Sequence, residues 1–365
     1  MKRVAITDVA EAAQVSRSTV SNYLNRPEIL SPATRERIAR AIDELGFVPS
    51  DAARKISSGD TRTIGYVAFE FTNPFSGVIA DAIERRAAET GRTVMIGNSA
   101  GSASRQLEYL ELFERKRVSG LIIATLDEIE PRLAEMRRRG TPSVITGRRA
   151  TVADQASVSA ADSAGGYLAA WHLLDIGRRR LAFVGGPFSV KQVSERFDGA
   201  SRAVQEVSGA SLTVLRADNR NMNAGFAAGV EMASQRDRLP DAVFAVNDMV
   251  GLGVVRGLTS FGIDVPRDVA VIGFDGDEIA AVSAIPLSTI STPGEAIGET
   301  AYDLLLSELG EPVRTFDSRQ QIVDPELIVR ASTVGDAADA ADAAGTPTLE
   351  RPRSLGTLDA ERPHP

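Results

Sequence analysis

The stretch Gln14-Val15-Ser16-Arg17-Ser18-Thr19-Val20-Ser21-Asn22-Tyr23-Leu24-Asn25 decides how the start of this 365-residue chain folds. A short turn at Gln14-Val15 leads into Ser16, whose hydroxyl can accept from the open N–H groups of a helix, so a helix is predicted over Arg17 to about Leu24. Working back, Thr7 reads as the N-cap of Asp8–Ala13, with Asp8 in the first turn, where the helix dipole favours an anion. Val9, Ala12 and Ala13 give that helix a small apolar face. Working forward, Ser31-Pro32 supplies a cap and then a proline at the first helical position. Ile38, Ala41, Ile42 and Leu45 recur at helical spacing until Gly46 stops the helix. Three short helices with a tight turn between the first two form a helix-turn-helix bundle.

Past Pro49-Ser50, the segment Asp51–Ser58, closed by Gly59, is too short to hold a helix alone in water and reads as a linker with helix potential. From Thr63 the pattern changes to β-branched runs alternating with helical ones: Ile64–Phe69, Gly77–Thr90, Val94–Ile96, Ser104–Lys116, Gly120–Ala124, Ile129–Arg139 and Ser143–Ile145. The rhythm restarts at Ala164–Leu174 and runs through Arg180–Val184, Ser194–Val207, Leu212–Arg216, Ala224–Ser234, Ala242–Val246, Met249–Phe261 and Val269–Phe274. Repeated β-α units imply parallel sheets with helices on both faces, so the fold class is α/β with an all-α head. Two such runs in series predict two doubly wound lobes, with ligands bound outside the carboxyl ends of the strands, in the cleft between them. The expected division is a head at 1–49, a hinge at 50–60 and an effector and dimerisation domain at 61–333. Its first lobe takes about 61–161 and 291–320, and its second about 162–290 and 321–333. The Asp/Ala-rich and proline-dotted tail, 334–365, lacks an apolar face and is expected to be disordered.

A hydrophobic fraction of 43% is enough for a sizeable core, and no apolar run is long enough to span a membrane. Zero cysteines exclude disulfides, thiolate metal sites and a cysteine nucleophile. The two histidines, His172 and His364, make neither a metal cluster nor a triad, and Gly251-Leu252-Gly253 … Gly257 has the wrong spacing for a dinucleotide fingerprint. No metal, cofactor or catalytic constellation is therefore expected. Residues 1–60 hold nine Lys/Arg against eight Asp/Glu, net +1, while the rest hold 32 against 41, net −9. That asymmetry lets the head approach phosphate and keeps the body away from it. Asp8 and Glu11 interrupt the N-terminus before any apolar signal region forms, so a cytoplasmic location is expected.

The head motifs Ile6-Thr7-Asp8-Val9-Ala10, Gln14 through Asn25, Ser31-Pro32-Ala33-Thr34-Arg35 and Ala41 through Pro49 resemble those of the lactose/galactose-repressor (LacI) family. The likeness continues through Thr72-Asn73-Pro74-Phe75, Val118-Ser119-Gly120-Leu121-Ile122, Val246-Asn247-Asp248-Met249, Val271-Ile272-Gly273-Phe274-Asp275 and Leu287-Ser288-Thr289-Ile290, about residues 4–333 in all. It implies a sequence-specific DNA-binding transcription regulator, by family default a repressor, with activation left open. It also implies a homodimer on a pseudo-palindromic operator and a small-molecule effector held by a periplasmic-binding-protein-like body.

An α-helix fits the major groove with its N-terminal side chains at base edges, which nominates Arg17, Ser18 and Asn22 for base contacts. Thr7, Ser16, Thr19, Ser21, Asn25 and Ser31 are short hydroxyl or amide side chains suited to phosphate. The resemblance makes Asp51–Ser58 a hinge helix that enters the minor groove through Ala53, Arg54 and Ile56, the last standing where the family wedges a leucine between bases. It also carries effector contacts onto Asn73, Phe75, Arg196, Asn247 and Asp275.

Three positions depart from the family pattern: Ala160-Ala161 stand where Asp-Asn is common, Arg220 replaces a stacking aromatic, and Gly147-Arg148 replaces an aspartate-bearing strand end. Loss of acceptors with arginines kept points to an anionic ligand, such as a phosphorylated or acidic sugar, gripped by Arg196 and Arg220 with Arg148 as a third candidate. The competing class is a solute-binding protein or sugar-processing enzyme of the same two-lobed fold. The missing signal peptide and missing catalytic set oppose it.

Overall fold

The computed structural model describes residues 4–47, 62–125 and 128–335. The chain divides into two units at Arg62/Thr63.

The N-terminal unit contains α1 (Ile6–Ala12), α2 (Arg17–Asn25) and α3 (Pro32–Leu45). Ser16 and Ser31 cap α2 and α3 as read from the sequence, their hydroxyls accepting from Thr19 N at 3.1 Å and Thr34 N at 3.3 Å. Gly46 ends α3 at φ 60°, a left-handed position that glycine adopts without a Cβ penalty. The start of α1 differs from expectation. The helix begins one residue before Thr7, at Ile6, with Ala5 in the cap position, and Asp8 reaches back to accept from Ala5 N at 2.7 Å. The aspartate satisfies the Ala5 N–H, a different group from the Val9 or Ala10 N–H that a capping Thr7 would have covered. Val9, Val20 and Ile38, one from each helix, are fully buried and centre the small core.

In the second unit the first lobe's sheet runs β11-β5-β4-β3-β1-β2, built from β1 (Thr63–Ala68), β2 (Thr93–Asn98), β3 (Leu121–Ala124), β4 (Ser143–Thr146), β5 (Ala156–Ala160) and β11 (Gln320–Val323). All its pairings are parallel. The second sheet runs β12-β10-β9-β8-β6-β7, from β6 (Arg180–Gly185), β7 (Ser211–Arg216), β8 (Ala242–Ala245), β9 (Ala270–Asp275), β10 (Ser288–Ser291) and β12 (Glu326–Ile328). Only β12 is antiparallel. Helices α4 (Pro74–Glu89), α5 (Ala103–Lys116), α6 (Glu130–Arg138) and α12 (Gly294–Glu308) belong to the first lobe. Helices α7 (Asp162–Asp175), α8 (Lys191–Gln205), α9 (Met222–Ser234), α10 (Asp248–Thr259), α11 (Glu278–Val282) and α13 (Ala331–Val334) belong to the second.

The chain crosses between lobes three times, after β5, after β10 and after β11. Because β11 pairs with β5, the first lobe extends to Val323 rather than to 320. Val334 closes α13, so the described structure runs past the expected start of the tail, and residues 336–365 lie outside the described residues. Residues 332 and 333 are pinned to the second lobe by a buried polar network. Thr333 Oγ1 bonds His172 Nε2 at 2.9 Å and Ser288 Oγ at 2.7 Å, and Ser332 donates to the Val271 carbonyl at 2.6 Å. The glycines of the rejected dinucleotide motif have a packing role. A Cβ at Gly253 or Gly257 would fall 2.1 or 2.6 Å from the Met222 or Phe226 carbonyl, so glycine is what lets α9 and α10 touch backbone to backbone.

Candidate functional site

On α2, Val20 is buried and Tyr23 and Leu24 pack onto the head's core. At 100° per residue this turns Ser18 and Asn22 to the opposite side of the helix, while Arg17 occupies the first helical position and is exposed. The Ser16 hydroxyl is shared locally, 2.6 Å from Ser18 Oγ and 2.7 Å from Thr19 Oγ1, which fixes the three side chains around the helix start. Thr7 is exposed on α1, and Ser31 is exposed at the start of α3. Asn25 is the last residue of α2, and its side chain is outside what the structure describes, as are Ala53, Arg54 and Ile56 of the expected hinge. The head thus presents a helix N-terminus carrying a cation and short hydroxyls, suited to a phosphate backbone and to base edges.

The second site lies between the lobes at the carboxyl ends of the strands, where a doubly wound sheet leaves its crevice. A cavity of about 90 Å³ there is lined from the first lobe by residues that include Tyr66, Phe69, Glu70, Asn73, Phe75 and Thr146. The second lobe contributes Gln192, Arg196, Arg220, Asn247 and Asp275 among others. Six of the seven residues expected to bind an effector therefore converge. Asn73 and Asn247 have helix-capping duties as well. Asn73 Oδ1 accepts from Phe75 N at 3.0 Å, and Asn247 Oδ1 accepts from Val250 N at 2.9 Å. Their amide nitrogens are left to work on the cleft. Asn73 donates across it to Asp275 Oδ2 at 3.0 Å, and Asn247 holds the Arg220 carbonyl at 3.0 Å.

Arg148 is the exception. Its guanidinium makes a two-pronged pair with Glu130 Oε1 and Oε2 at 2.8 and 2.9 Å, both side chains buried within the first lobe, and Gly147 lines the cavity in its place. Burial pushes the Glu130 carboxyl up, but the Arg148 hydrogen bonds and the Thr151 backbone N–H more than offset this and hold it at about 2. Arg148 is a structural ion-pair residue, not an effector ligand.

The other two arginines also have carboxylate partners. Arg196 donates to Asp162 Oδ1 at 2.7 Å, to the Val246 carbonyl at 2.6 Å and to Asp275 Oδ1 at 3.4 Å, with its guanidinium 3.6 Å over the Phe274 ring. Burial opposes its charge, and Asp162 and Asp275 outweigh that, so it stays cationic. Arg220 lies 5.0 Å over the Phe69 ring and 3.9 Å from Glu70 Oε1 on the opposite lobe. Among the lining residues Arg196 and Arg220 are balanced by Glu70 and Asp275, so the expected excess of positive charge for an anion is not there. What the cavity offers is alternating donors and acceptors among aromatic walls, suited to a neutral hydroxylated molecule.

Thr146, unnoticed in the sequence, adds to this. Its hydroxyl is fully buried at the end of β4, lines the cavity and has no hydrogen-bond partner among the described residues. An unpaired buried hydroxyl costs about 1–3 kcal/mol, which a ligand hydroxyl would recover. Glu70 was missed as well. Both follow the strand-end rule: Thr146 closes β4, and Glu70 comes two residues after β1.

Comparison with known proteins places these two sites in context. Residues 5–50 match the family model described as bacterial regulatory proteins, lacI family, and residues 170–333 match a periplasmic binding protein-like domain. The HTH-type transcriptional repressor PurR of Vibrio vulnificus (strain CMCP6) is 34% identical over 333 residues, covering 89% of this chain and 97% of the relative. Among solved structures, the Lac repressor dimer bound to operator and the anti-inducer ONPF superposes with a TM-score of 0.75 at 26% identity, covering 91% of this chain and 99% of that one. A complex of the transcriptional regulator CelR with cellobiose does so with a TM-score of 0.64 at 30% identity, covering 90% and 100%.

Proposed function

The chain belongs to the LacI family of bacterial regulatory proteins, and we propose that it binds a pseudo-palindromic operator as a homodimer, with an affinity set by a neutral polyhydroxylated molecule, a sugar or sugar derivative, in the interlobe cleft. It is a transcriptional repressor and not an enzyme, as its relatives are. Its place of work is the cytoplasm, where the operator is. Among the described residues no helix is long and apolar enough to cross a membrane.

The observation that carries the ligand reading is the Arg196–Asp275–Asn73 chain. A guanidinium and a carboxylate sit side by side at the cavity wall, linked to the opposite lobe by an amide. Such a pair donates to one hydroxyl and accepts from its neighbour, and a ligand spanning the cleft touches both lobes at once. The charge balance and the unpaired Thr146 hydroxyl support the same chemistry over an anion.

For DNA, Arg17 bridges guanine O6/N7 and Asn22 bridges adenine N6/N7, the pairings their geometry favours, with Ser16, Thr19, Ser21, Asn25, Ser31 and Thr7 on phosphates. One head reads one half-site, and two-fold pairing of the chain matches a near-palindrome. Ligand and operator are then coupled reciprocally, since whatever factor the ligand imposes on operator affinity the operator imposes on ligand affinity.

A mobility-shift titration of the full chain on DNA upstream of its own gene, with and without a panel of neutral and phosphorylated sugars, tests the proposal. A salt-sensitive, sequence-selective shift moved at least fivefold by a neutral sugar is the expected outcome. A shift moved only by phosphorylated or acidic sugars would overturn the neutral-ligand reading, and no selective shift at all would overturn the regulator reading.

A further inference from the structure

The negative charge that follows the head is not evenly spread. All strands of the first lobe pair in parallel, so the loops after them face the cleft and the loops before them make the opposite face. The strand starts lie side by side on that face. Thr63 Oγ1 is 3.2 Å from Thr93 Oγ1, Ser119 N donates to the Thr63 carbonyl at 2.8 Å, and Leu121 N donates to the Pro142 carbonyl at 3.0 Å. An arginine stands shortly before each start: Arg62 before β1, Arg92 before β2, Arg117 before β3, Arg139 before β4 and Arg319 before β11. Two of them complete basic runs, Arg115-Lys116-Arg117 at the end of α5 and Arg137-Arg138-Arg139 at the end of α6. We propose that this face binds the duplex beside the operator through its phosphates, so that the body holds DNA as well as the head. The proposal rests on the regulator reading above and adds a second DNA-contacting surface to it.

The carboxylates on this face do not match its cations. Glu114 accepts from both Arg132 and Arg139, at 2.6 and 2.8 Å, and these hydrogen bonds hold it below the ordinary carboxylate range. Arg115 reaches Glu111 at 3.6 Å, one turn back on the exposed side of α5. Arg62 and Arg138 are exposed and have no ion-pair partner among the described residues. Cations in the last turn of a helix also answer its dipole, which accounts for part of the two runs. It does not account for Arg62 and Arg319, which stand outside any helix.

The occupant follows from where the chain enters. Arg62 and Thr63 bring the polypeptide into the lobe on this same face, so DNA held by the head is tethered to it through residues 48–61, a reach of at most about 50 Å. Over such a tether the flanking duplex is present at about millimolar effective concentration. Non-specific phosphate binding has a dissociation constant of about 10⁻⁴ to 10⁻⁶ M, so even the weak end of that range fills the face. The contact needs no base sequence, and it leaves the cleft at the far ends of the strands open to ligand.

Competition binding of the full chain to two duplexes tests this. One is the shortest footprinted duplex from upstream of its own gene that keeps a selective shift. The other is the same duplex extended at each end by about 15 bp of random sequence, which matches the tether at about 3.4 Å per step. The variant is Arg115→Gln/Lys116→Gln/Arg138→Gln, in which every substituted side chain is exposed. At about 50 mM salt the wild type should bind the extended duplex at least fivefold tighter than the short one, with a salt slope steeper by about 2. The triple variant should bind both duplexes within twofold of the wild type on the short one. Equal wild-type affinity for the two duplexes, or a length advantage that survives in the variant, would overturn the role of this face and leave the regulator reading standing. No selective shift on either duplex would overturn the regulator reading and the role of the face with it.

Discussion

Replacing Arg148 by methionine is expected to cost stability and to leave ligand affinity alone, the reverse of what its place in the sequence motif implies. The guanidinium meets both oxygens of Glu130 at 2.8 and 2.9 Å, and Glu130 Oε1 also accepts from Thr151 N at 2.9 Å and Thr151 Oγ1 at 3.0 Å. The two side chains are 3% and 4% exposed, so removing the arginine strands a carboxylate that water cannot reach, a change that costs about 3–5 kcal/mol. In a domain of this size that is roughly 6–20 °C of melting temperature. Removing both charges together, as in Arg148→Met/Glu130→Gln, should recover most of the loss, because the penalty belongs to the unpaired charge. The pH dependence carries the same signature. Glu130 is held at about 2, below its ordinary 4.5, so its contribution is complete above about pH 4.5 and is lost as the pH falls towards 2. The Arg148→Met variant should show a shallower acid limb than the wild type. Thermal melts beside calorimetric ligand titration decide the matter. An unchanged melting temperature with a tenfold loss of ligand affinity would put Arg148 in the cleft and refute the reasoning.

Burial holds His172 at about 4, below the 6.5 of a free histidine, so its protonation favours the unfolded chain. Stability is intact above about pH 6.5 and falls as the pH drops towards 4, by about 2 kcal/mol at pH 5, a loss that His172→Gln should remove in urea unfolding at pH 7.5 and 5. Ser16→Ala removes the cap of α2 at a cost of about 1 kcal/mol, and hydrogen exchange of the α2 amides in the full chain should quicken about fivefold; unchanged exchange would show that the cap is idle. Arg17→Ala should cost about 1–3 kcal/mol of operator affinity and relax preference at one base pair, whereas Ser21→Ala should weaken all sequences alike, which competition binding against single-base operator variants separates.

The fold was legible where local chemistry agreed with tertiary structure. The caps at Ser16 and Ser31, the stop at Gly46 and the long apolar strands of both lobes all stand in the sequence. What it hid were elements whose residues carry no periodic apolar signal. Strand β5, Ala156-Ser157-Val158-Ser159-Ala160, alternates small and hydroxyl residues and becomes a strand because β4 and β11 flank it. The lobe boundary shifted because β11 is short and polar. At the site, residue identities were legible and their partners were not. Three arginines in a cleft suggested an anion, but charge in a folded protein belongs to pairs, and Glu130, Asp162 and Glu70 come from positions that no motif singled out.

The turn at Asp275 shows why such pairing matters to function. Asp275 sits at φ 106°, a left-handed conformation that costs a non-glycine residue about 1–3 kcal/mol and persists only where surroundings over-determine it. Asp248 does part of that, its Oδ2 accepting from Gly276 N at 2.9 Å and Asp277 N at 2.8 Å, while Asn73 and Arg196 take the Asp275 carboxylate itself. Three buried carboxylates this close cannot all stay ionised. Burial drives Asp248 well up, and burial with the charge of Asp275 carries Asp277 to about 7. Burial raises Asp275 as well, and among the three it alone has guanidinium partners that work against that rise. The strained turn therefore fixes one carboxyl group beside one cationic donor before any ligand arrives. A ligand that meets this pair need not organise it, so less of its binding energy goes into ordering the site.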